Sequence, residues 1–242
     1  MSTPLTTGAI AMQGNAVLFS EMTPGASWER EFNDWYDHEH IPLRMGVPGF
    51  VSAQRYCIAG NRDYLAVYEM NSPAVLKTPP YEAVKNSPSE QTQRMLSRVT
   101  GFTRYIGEQT GDQRRLTPGS DPLDAPCLYA VFFQVPVERQ VEFNAWYEQD
   151  HVPLLLECPE WLLVRRFRIV AGHPEAWTHL ALHYLADPRA LKSAEREHAR
   201  ATPWRARLAQ ESWFNGKYLV FAKSGPRFTP RPTERNALND VA

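Results

Sequence analysis

The sequence has little cysteine, and this scarcity excludes several kinds of protein. Its three cysteines, Cys57, Cys127 and Cys158, are far apart and form no C-x-x-C pair. An odd number without such pairs supports neither a disulfide framework nor a zinc or redox motif. We therefore predict three free thiols packed as small core residues, in a reduced and cytoplasmic protein.

An excess of positive charge and a long apolar run are also missing. The formal net charge is -1, and acids are scattered among the arginines. The longest apolar runs, such as "LYAVFF", have the length of a strand and are too short to cross a membrane. The first residues lack the basic and apolar regions of a secretory signal. We expect neither a nucleic-acid partner nor a membrane partner.

The motifs that bind nucleotides or mark common hydrolases are not found. The chain has no G-x-x-x-x-G-K-[ST], no G-x-G-x-x-G after a strand, no G-x-S-x-G and no H-E-x-x-H. These absences weaken nucleotide, dinucleotide and serine-hydrolase functions. They leave acid/base chemistry without a bound nucleotide.

A repeated string is what the sequence does contain. "FNDWYDHEHIP" at Phe32–Pro42 returns as "FNAWYEQDHVP" at Phe143–Pro153, an offset of 111 residues. The match continues without a gap from "VPGFVSAQRY" to "CPEWLLVRRF", and later the offset becomes 115. Two copies of about a hundred residues indicate a duplicated domain rather than a solenoid, which needs at least three shorter units.

Each copy predicts the element order β-α-β-β-α-β. Apolar and β-branched runs predict the strands, helical spacing predicts the first helix, and the proline after the histidine is expected to end or kink it. This order is the ferredoxin-like unit, whose bare sheet face needs a cover. We predict an α+β protein whose two ferredoxin-like βαββαβ units form an intramolecular α/β barrel. The expected boundaries are 1–110 for the first unit, 111–125 for a linker, 126–224 for the second unit and 225–242 for a Pro-rich tail.

The string W-Y-x-x-x-H-[IV]-P, followed by a P-G-F turn into a strand, resembles the dimeric α/β-barrel superfamily and especially its EthD-like members. "NDWYDHEHIPLRMGVPGFVSAQRY" carries the likeness, and the second copy departs from it where Gly49 and Phe50 become Glu160 and Trp161. The resemblance implies the fold. It leaves the reaction open, because such proteins include cofactor-free isomerases, cyclases, dehydratases and monooxygenases as well as haem-binding branches.

Two histidines, His40 and His151, end the repeated string and are the first catalytic candidates. At the last turn of a helix, the partial negative charge favours imidazolium, which suits a general acid near neutral pH. A nearby carboxylate would orient each ring. The alternative, that each histidine only caps the helix and anchors the turn, stays open.

Strand alternation places His179 and His183 on one face of a strand. The matching positions of the first copy hold Tyr64 and Tyr68. We take the two histidines as further catalytic candidates and the two tyrosines as substrate-binding residues. Histidines two apart also occur as metal ligands, but no carboxylate lies near them in the strand, and we predict no metal site.

Arg55 and Arg166 occupy matching strand positions, and a guanidinium that points inward holds a carboxylate with two hydrogen bonds. Arg165 is expected on the opposite face from Arg166. Trp146 and other aromatic residues would wall an aromatic pocket, although large rings are also ordinary core residues.

These patterns lead to one predicted function and two rivals. The prediction is a cofactor-free acid/base enzyme, an isomerase, cyclase or lyase/dehydratase, that acts on a small carboxylated or aromatic intermediate. The rivals are an oxygenase or dehydratase that depends on haem or a divalent metal, and a non-catalytic small-molecule binding protein. A homo-oligomer is compatible with each of these three functions.

Overall fold

Eight strands close into one antiparallel barrel, and the computed structural model describes residues 13–115 and 121–230. The strands of the N-terminal half are β1 (Ala16–Thr23), β2 (Phe50–Cys57), β3 (Tyr64–Met70) and β4 (Thr100–Arg114). Those of the C-terminal half are β5 (Cys127–Phe133), β6 (Trp161–His173), β7 (His179–Leu185) and β8 (Lys217–Phe228). The predicted α+β barrel is confirmed.

The order around the barrel is β1-β3-β2-β8-β5-β7-β6-β4. Each half is therefore a four-stranded sheet, β4-β1-β3-β2 or β8-β5-β7-β6, with the same internal order. The halves join along two seams, β2 with β8 and β4 with β6, where Arg55 lies opposite Ser224 and Gln109 opposite Phe167. Among residues 13–115 and 121–230, the closed barrel leaves no open sheet edge to pair with another chain.

Alternation along the strands divides the core into three layers. On β1, Val17 and Phe19 point into the barrel, whereas Leu18 points toward the helices. Phe19 meets Phe132 of the other half edge to face, with ring centroids 5.2 Å apart. Burying one such side chain contributes about 1.5–3 kcal/mol, so the barrel interior holds the two halves together.

The first helical region of each half contains a wide π turn at the repeated string. In the N-terminal half, α1 (Glu29–Trp35) leads into a π turn (Tyr36–His40) and α2 (Ile41–Met45). The C-terminal half has α5 (Gln140–Trp146), a π turn (Tyr147–His151) and α6 (Val152–Leu155).

Of the two outcomes expected for the proline, an end or a kink, the structure contradicts the end. Ile41 donates its N–H to the Tyr36 carbonyl five residues back, and the widened turn makes room for the Pro42 ring. The helix therefore runs on to Met45, and His40 lies inside it rather than at its end.

The second helical region is divided into short pieces. A 3₁₀ turn (Pro73–Lys77) precedes α3 (Pro79–Asn86) and α4 (Glu90–Arg98); its counterpart (Pro188–Lys192) precedes α7 (Ala194–Ala201) and α8 (Pro203–Leu208). Ser89 caps α4 by accepting from the Thr92 N–H, and Thr202 caps α8 by accepting from the Arg205 N–H.

Two predicted irregular segments begin later than expected. Residues 111–114, predicted as linker, continue β4 because they pair with β6 as far as Arg114 opposite Leu163. Residues 225–228, predicted as tail, continue β8 to Phe228, which lies opposite Ala53. The rest of the linker is described only at residues 115 and 121–125, and the tail beyond residue 230 lies outside the described residues.

The three cysteines are free thiols, as predicted, with Cys127 and Cys158 buried and Cys57 half-buried. Within the described ranges, no helix combines the length and the apolar character needed to cross a membrane.

A candidate active site in the C-terminal half

A cavity of about 340 Å³ lies between the outer face of the C-terminal sheet and the helices that cover it. Its size is within the range of small-ligand sites. Tyr218 of β8, half exposed, stacks on Tyr129 of β5 with ring centroids 6.3 Å apart. The aromatic side chains of the wall are Tyr129, Phe133, Trp146, Tyr147, Trp161, Phe214 and Tyr218.

His151 lines this cavity from the π turn. Its ring stacks on Trp146 at 4.7 Å, and its Nδ1 lies 3.3 Å from the Ala199 carbonyl oxygen. Because a carbonyl only accepts, Nδ1 carries the hydrogen and Nε2 keeps a lone pair. Burial, assisted by nearby arginine charge, lowers the pKa of His151 to about 4. The ring is therefore neutral at pH 7.

His183 also lines the cavity, but both of its nitrogens are engaged. Nδ1 accepts from the Trp161 indole N–H at 3.1 Å, so the hydrogen is on Nε2, which lies 3.1 Å from the Tyr147 hydroxyl. Burial lowers the pKa of His183 well below its ordinary value. This neutral ring holds Trp161 and Tyr147 in place.

The other two candidate histidines lie outside the 340 Å³ cavity. His179 packs against Phe143, with its Nδ1 2.9 Å from the Thr178 hydroxyl, and burial lowers its pKa to about 4. His40 packs against Trp35 in the N-terminal half, and burial lowers its pKa well below the ordinary value.

The prediction that His40 and His151 are charged at neutral pH and act as general acids is therefore wrong. His40 and His151 lie within continuous helical segments, so no helix end stabilises their charged forms. Desolvation acts in the opposite direction and favours the neutral ring.

The two matching arginines tie the sheet to the first helical region. Arg55 donates to Asp37 Oδ1 at 2.8 Å and to Asn33 Oδ1 at 2.5 Å. Arg166 donates to Glu148 and, at 3.2 Å, to Asn144 Oδ1. Both guanidinium groups already have carboxylate partners, and neither lines the 340 Å³ cavity.

The two tyrosine candidates lie in the N-terminal half, where Tyr68 is buried and Tyr64 is half-buried. Tyr64 donates its hydroxyl hydrogen to Glu29 at 2.7 Å, and Tyr68 lies under the Arg44 guanidinium, 5.6 Å from the ring centroid. Of the nine predicted site residues, the cavity brings together three: His151, His183 and Trp146.

Three arginines of the cavity were not predicted: Arg196 and Arg200 of α7 and Arg205 of α8. Within the described ranges, no carboxylate lies within ion-pair distance of them. The signal in the sequence was the spacing of four between Arg196 and Arg200, which places both on one face of a helix. Arg205 belongs to another helix, and only the fold brings it to the same cavity.

No set of three or more His, Cys, Asp or Glu side chains in residues 13–115 and 121–230 is arranged to hold a metal ion. This result concerns clusters of protein ligands and does not apply to a prosthetic group that a single side chain holds.

Comparison with known proteins identifies the fold. No protein-family model and no curated relative matches the sequence. Among solved structures, an anthrone oxidase-like protein superposes with a TM-score of 0.66 at 10% identity, covering 92% of this chain and 96% of its own.

Two other similar structures come from bacteria. A chlorite dismutase variant from Candidatus Nitrospira defluvii has a TM-score of 0.55 at 10% identity, covering 87% of this chain and 91% of its own. A proposed monooxygenase from Lactobacillus acidophilus NCFM has a TM-score of 0.54 at 7% identity, covering 89% and 97%. At such low identity these likenesses establish the fold, an α+β protein with a closed eight-stranded barrel, and nothing finer.

The predicted cofactor-free isomerase, cyclase or lyase is contradicted. The similar structures are named oxidase, monooxygenase and dismutase. The geometry also disfavours the expected imidazolium acids, because burial lowers the pKa of His40 and His151. His183 has both ring nitrogens in hydrogen bonds.

Proposed function

We propose that this chain is an oxidase- or oxygenase-type enzyme that oxidises a small aromatic substrate with dioxygen in the cavity of its C-terminal half. The observation that carries the proposal is a neutral His151, with a lone pair on Nε2, in an aromatic cavity that three arginines line. The names of the similar structures support the same reaction class.

His151 is the proposed base. It would remove a proton from an acidic C–H or phenolic O–H of the substrate, which leaves the electron pair on the aromatic system. The guanidinium groups of the cavity would stabilise that anion electrostatically. In the oxidase outcome, dioxygen takes two electrons and two protons from the substrate and leaves as hydrogen peroxide, with a dehydrogenated product. In the oxygenase outcome, the substrate loses two hydrogens and gains one oxygen atom, a four-electron oxidation in which the other oxygen atom leaves as water.

A haem enzyme is a second candidate, because His151 would hold a haem iron through its free Nε2. Its Nδ1 is tied to a backbone carbonyl, which fixes the tautomer and leaves Nε2 to bind iron. The cavity arginines suit the two carboxylates of haem. When bound, haem would supply a redox-active iron next to the aromatic wall.

Oxygen uptake and absorption test both candidates. Purified protein is mixed with anthrone or with 1,4-dihydroxy-2-naphthoate in an oxygen electrode, and the His151→Ala variant is compared with the matched His40→Ala variant. Uptake that His151→Ala loses and His40→Ala keeps supports the proposal, whereas full uptake by His151→Ala contradicts it. A Soret band that disappears in His151→Ala selects the haem candidate.

We also infer that the two halves descend from one ferredoxin-like unit, with units at 1–110 and 126–224. The repeated string and the equal strand order within each half support this inference. The EthD-like resemblance, the cytoplasmic location, the small-molecule partner and self-association stay predictions.

A further inference from the structure

The indole N–H groups of the two repeated tryptophans differ in their partners. In the N-terminal half, Trp35 donates from Nε1 to the Thr92 hydroxyl at 3.0 Å. In the C-terminal half, Trp146 is 2% exposed, and its Nε1 has no hydrogen-bond partner among the described residues. An orphaned buried donor costs about 1–3 kcal/mol, so it calls for an explanation.

The helix caps identify the residue of the C-terminal half that corresponds to Thr92, the partner of Trp35. Thr92 is the third residue after Ser89, the cap of α4, and Arg205 is the third residue after Thr202, the cap of α8. Counted from these caps, which are 113 residues apart, the position whose hydroxyl satisfies Trp35 in one half is an arginine in the other. Each cap also donates to a matching carboxylate of the π turn, Ser89 to Glu39 and Thr202 to Asp150, which supports the correspondence.

Arg205 lies near two other arginines, and no carboxylate of the described residues forms an ion pair with it. It donates to the Arg200 carbonyl at 3.2 Å and lies 5.7 Å from the centre of the Phe214 ring. Partial burial and the charges of Arg200 and Arg196 lower its pKa. Like charges that face one cavity without a carboxylate destabilise the free protein, and a bound anion relieves that repulsion.

We propose that the cavity binds a planar aromatic ligand whose anionic oxygen, a carboxylate or phenolate, accepts hydrogen bonds from the Trp146 indole N–H and the Arg205 guanidinium. Arg196 and Arg200 supply further positive charge at the same cavity. The aromatic wall accounts for the flat body of the ligand, and the arginines account for its charge. This assignment names the substrate class for the proposed oxidation and rests on that proposal for its biological meaning.

Two kinds of ligand carry an anionic oxygen on a planar aromatic body: an aromatic acid that serves as substrate, and a haem with its carboxylates. Titration calorimetry separates the charge requirement from turnover. The probes are anthraquinone-2-carboxylate and its neutral analogue anthraquinone-2-carboxamide, each titrated into the full chain at low and high salt. The as-purified protein is first assayed for haem by absorption.

Two variants and one control sharpen the experiment. Arg205→Thr installs the residue that partners Trp35 in the other half, and Trp146→Phe removes the N–H but keeps the ring. Arg207→Thr changes an exposed arginine of the same helix that does not line the cavity. Arg200→Gln provides a second charge removal if Arg205→Thr fails to fold.

We expect the carboxylate to bind more tightly than the carboxamide, with an affinity that falls as salt rises. Arg205→Thr should weaken the carboxylate about tenfold or more, and Trp146→Phe by a smaller factor, while Arg207→Thr has no effect. If the protein is purified with haem, Arg205→Thr should lower haem retention, which assigns the anion to haem.

Equal binding of the two probes, no binding of the carboxylate to haem-free protein, or haem retention that is insensitive to Arg205→Thr would overturn the assignment. Failure of the oxidase proposal has a different signature. In that case the carboxylate binds as expected and no oxygen is consumed.

Discussion

The two halves of the barrel have the same strand order, but they differ in the side chains that lie between the sheet and its helices. In the N-terminal half, Phe50 stacks on Tyr81 with ring centroids 6.0 Å apart, and Arg44 covers Tyr68. In the C-terminal half, the positions that match Phe50, Tyr81 and Tyr68 hold Trp161, Arg196 and His183, and these three residues line the 340 Å³ cavity.

This difference shows what the repeated string does. The string builds the same π turn and the same tryptophan–histidine contact in both halves. The cavity is lined by Trp146, Tyr147 and His151 of the string together with residues at which the halves differ, such as Trp161, His183 and Arg196. The two halves therefore share their shape through the repeated string, and the C-terminal half has its cavity where the other residues differ.

The largest expected effect separates the two repeated histidines. His151→Ala should lower turnover by about 10²–10⁴-fold, because a positioned base contributes that much. His40→Ala should leave turnover nearly unchanged and lower only stability, since the His40 ring packs against Trp35 and Tyr36. Steady-state oxygen uptake by both variants checks this, and similar losses in the two would contradict a site confined to one half.

The barrel interior offers the next comparison, between Glu69 and its counterpart Tyr184. Glu69 Oε1 accepts from Arg165 Nη1 at 2.5 Å, and neither side chain is more than 1% exposed. Glu69→Ala leaves Arg165 buried without its charge partner and should cost about 3–5 kcal/mol. Tyr184→Phe removes a neutral hydroxyl and should cost about 1 kcal/mol. Urea unfolding measures both, and equal costs would contradict the asymmetry.

Acid should destabilise the protein mainly through the C-terminal half. The folded-state pKa values of His151 and His179 lie at about 4, below the ordinary 6.5. Between these values the unfolded chain binds protons that the folded chain excludes. Stability is therefore full above about pH 6.5 and falls as the pH drops toward 4.

Each such histidine contributes at most about 1.4 kcal/mol per pH unit in that interval. His179→Asn should reduce the slope of unfolding free energy against pH by up to that amount between pH 6 and 5. An unchanged slope would show that His179 does not stay neutral in the folded protein.

The smallest effect concerns the indole donors. Trp35→Phe breaks the hydrogen bond to Thr92, whereas Trp146→Phe removes a donor that has no partner. Trp35→Phe should therefore cost about 1 kcal/mol more than Trp146→Phe in urea unfolding of the ligand-free protein. The reverse order would mean that Trp146 has a partner in solution.

The repeat and its alternation were enough to predict the strands, the α+β barrel and the opposite orientations of Arg165 and Arg166. Those features depend on periodicity, which a sequence displays directly. The π turn was missed because proline at position 42 normally ends a helix, and only the hydrogen bond of the neighbouring Ile41 reveals the wider turn.

The site was harder to predict because it joins distant segments. His151, His183 and Trp146 were named from the sequence, but Arg205 becomes part of the cavity only when α8 packs beside the π turn. The charge state of the histidines depends on burial, which motif spacing does not report.

The most direct test of the account is the indole region of a ¹H–¹⁵N NMR spectrum, recorded while anthraquinone-2-carboxylate is added. The Trp35 and Trp146 signals are assigned from the two phenylalanine variants. We predict that the Trp146 indole N–H signal shifts downfield and saturates, because it gains an acceptor, while the Trp35 signal stays in place. A shift of Trp35, or none at Trp146 under saturating probe, would contradict a ligand site confined to the C-terminal half.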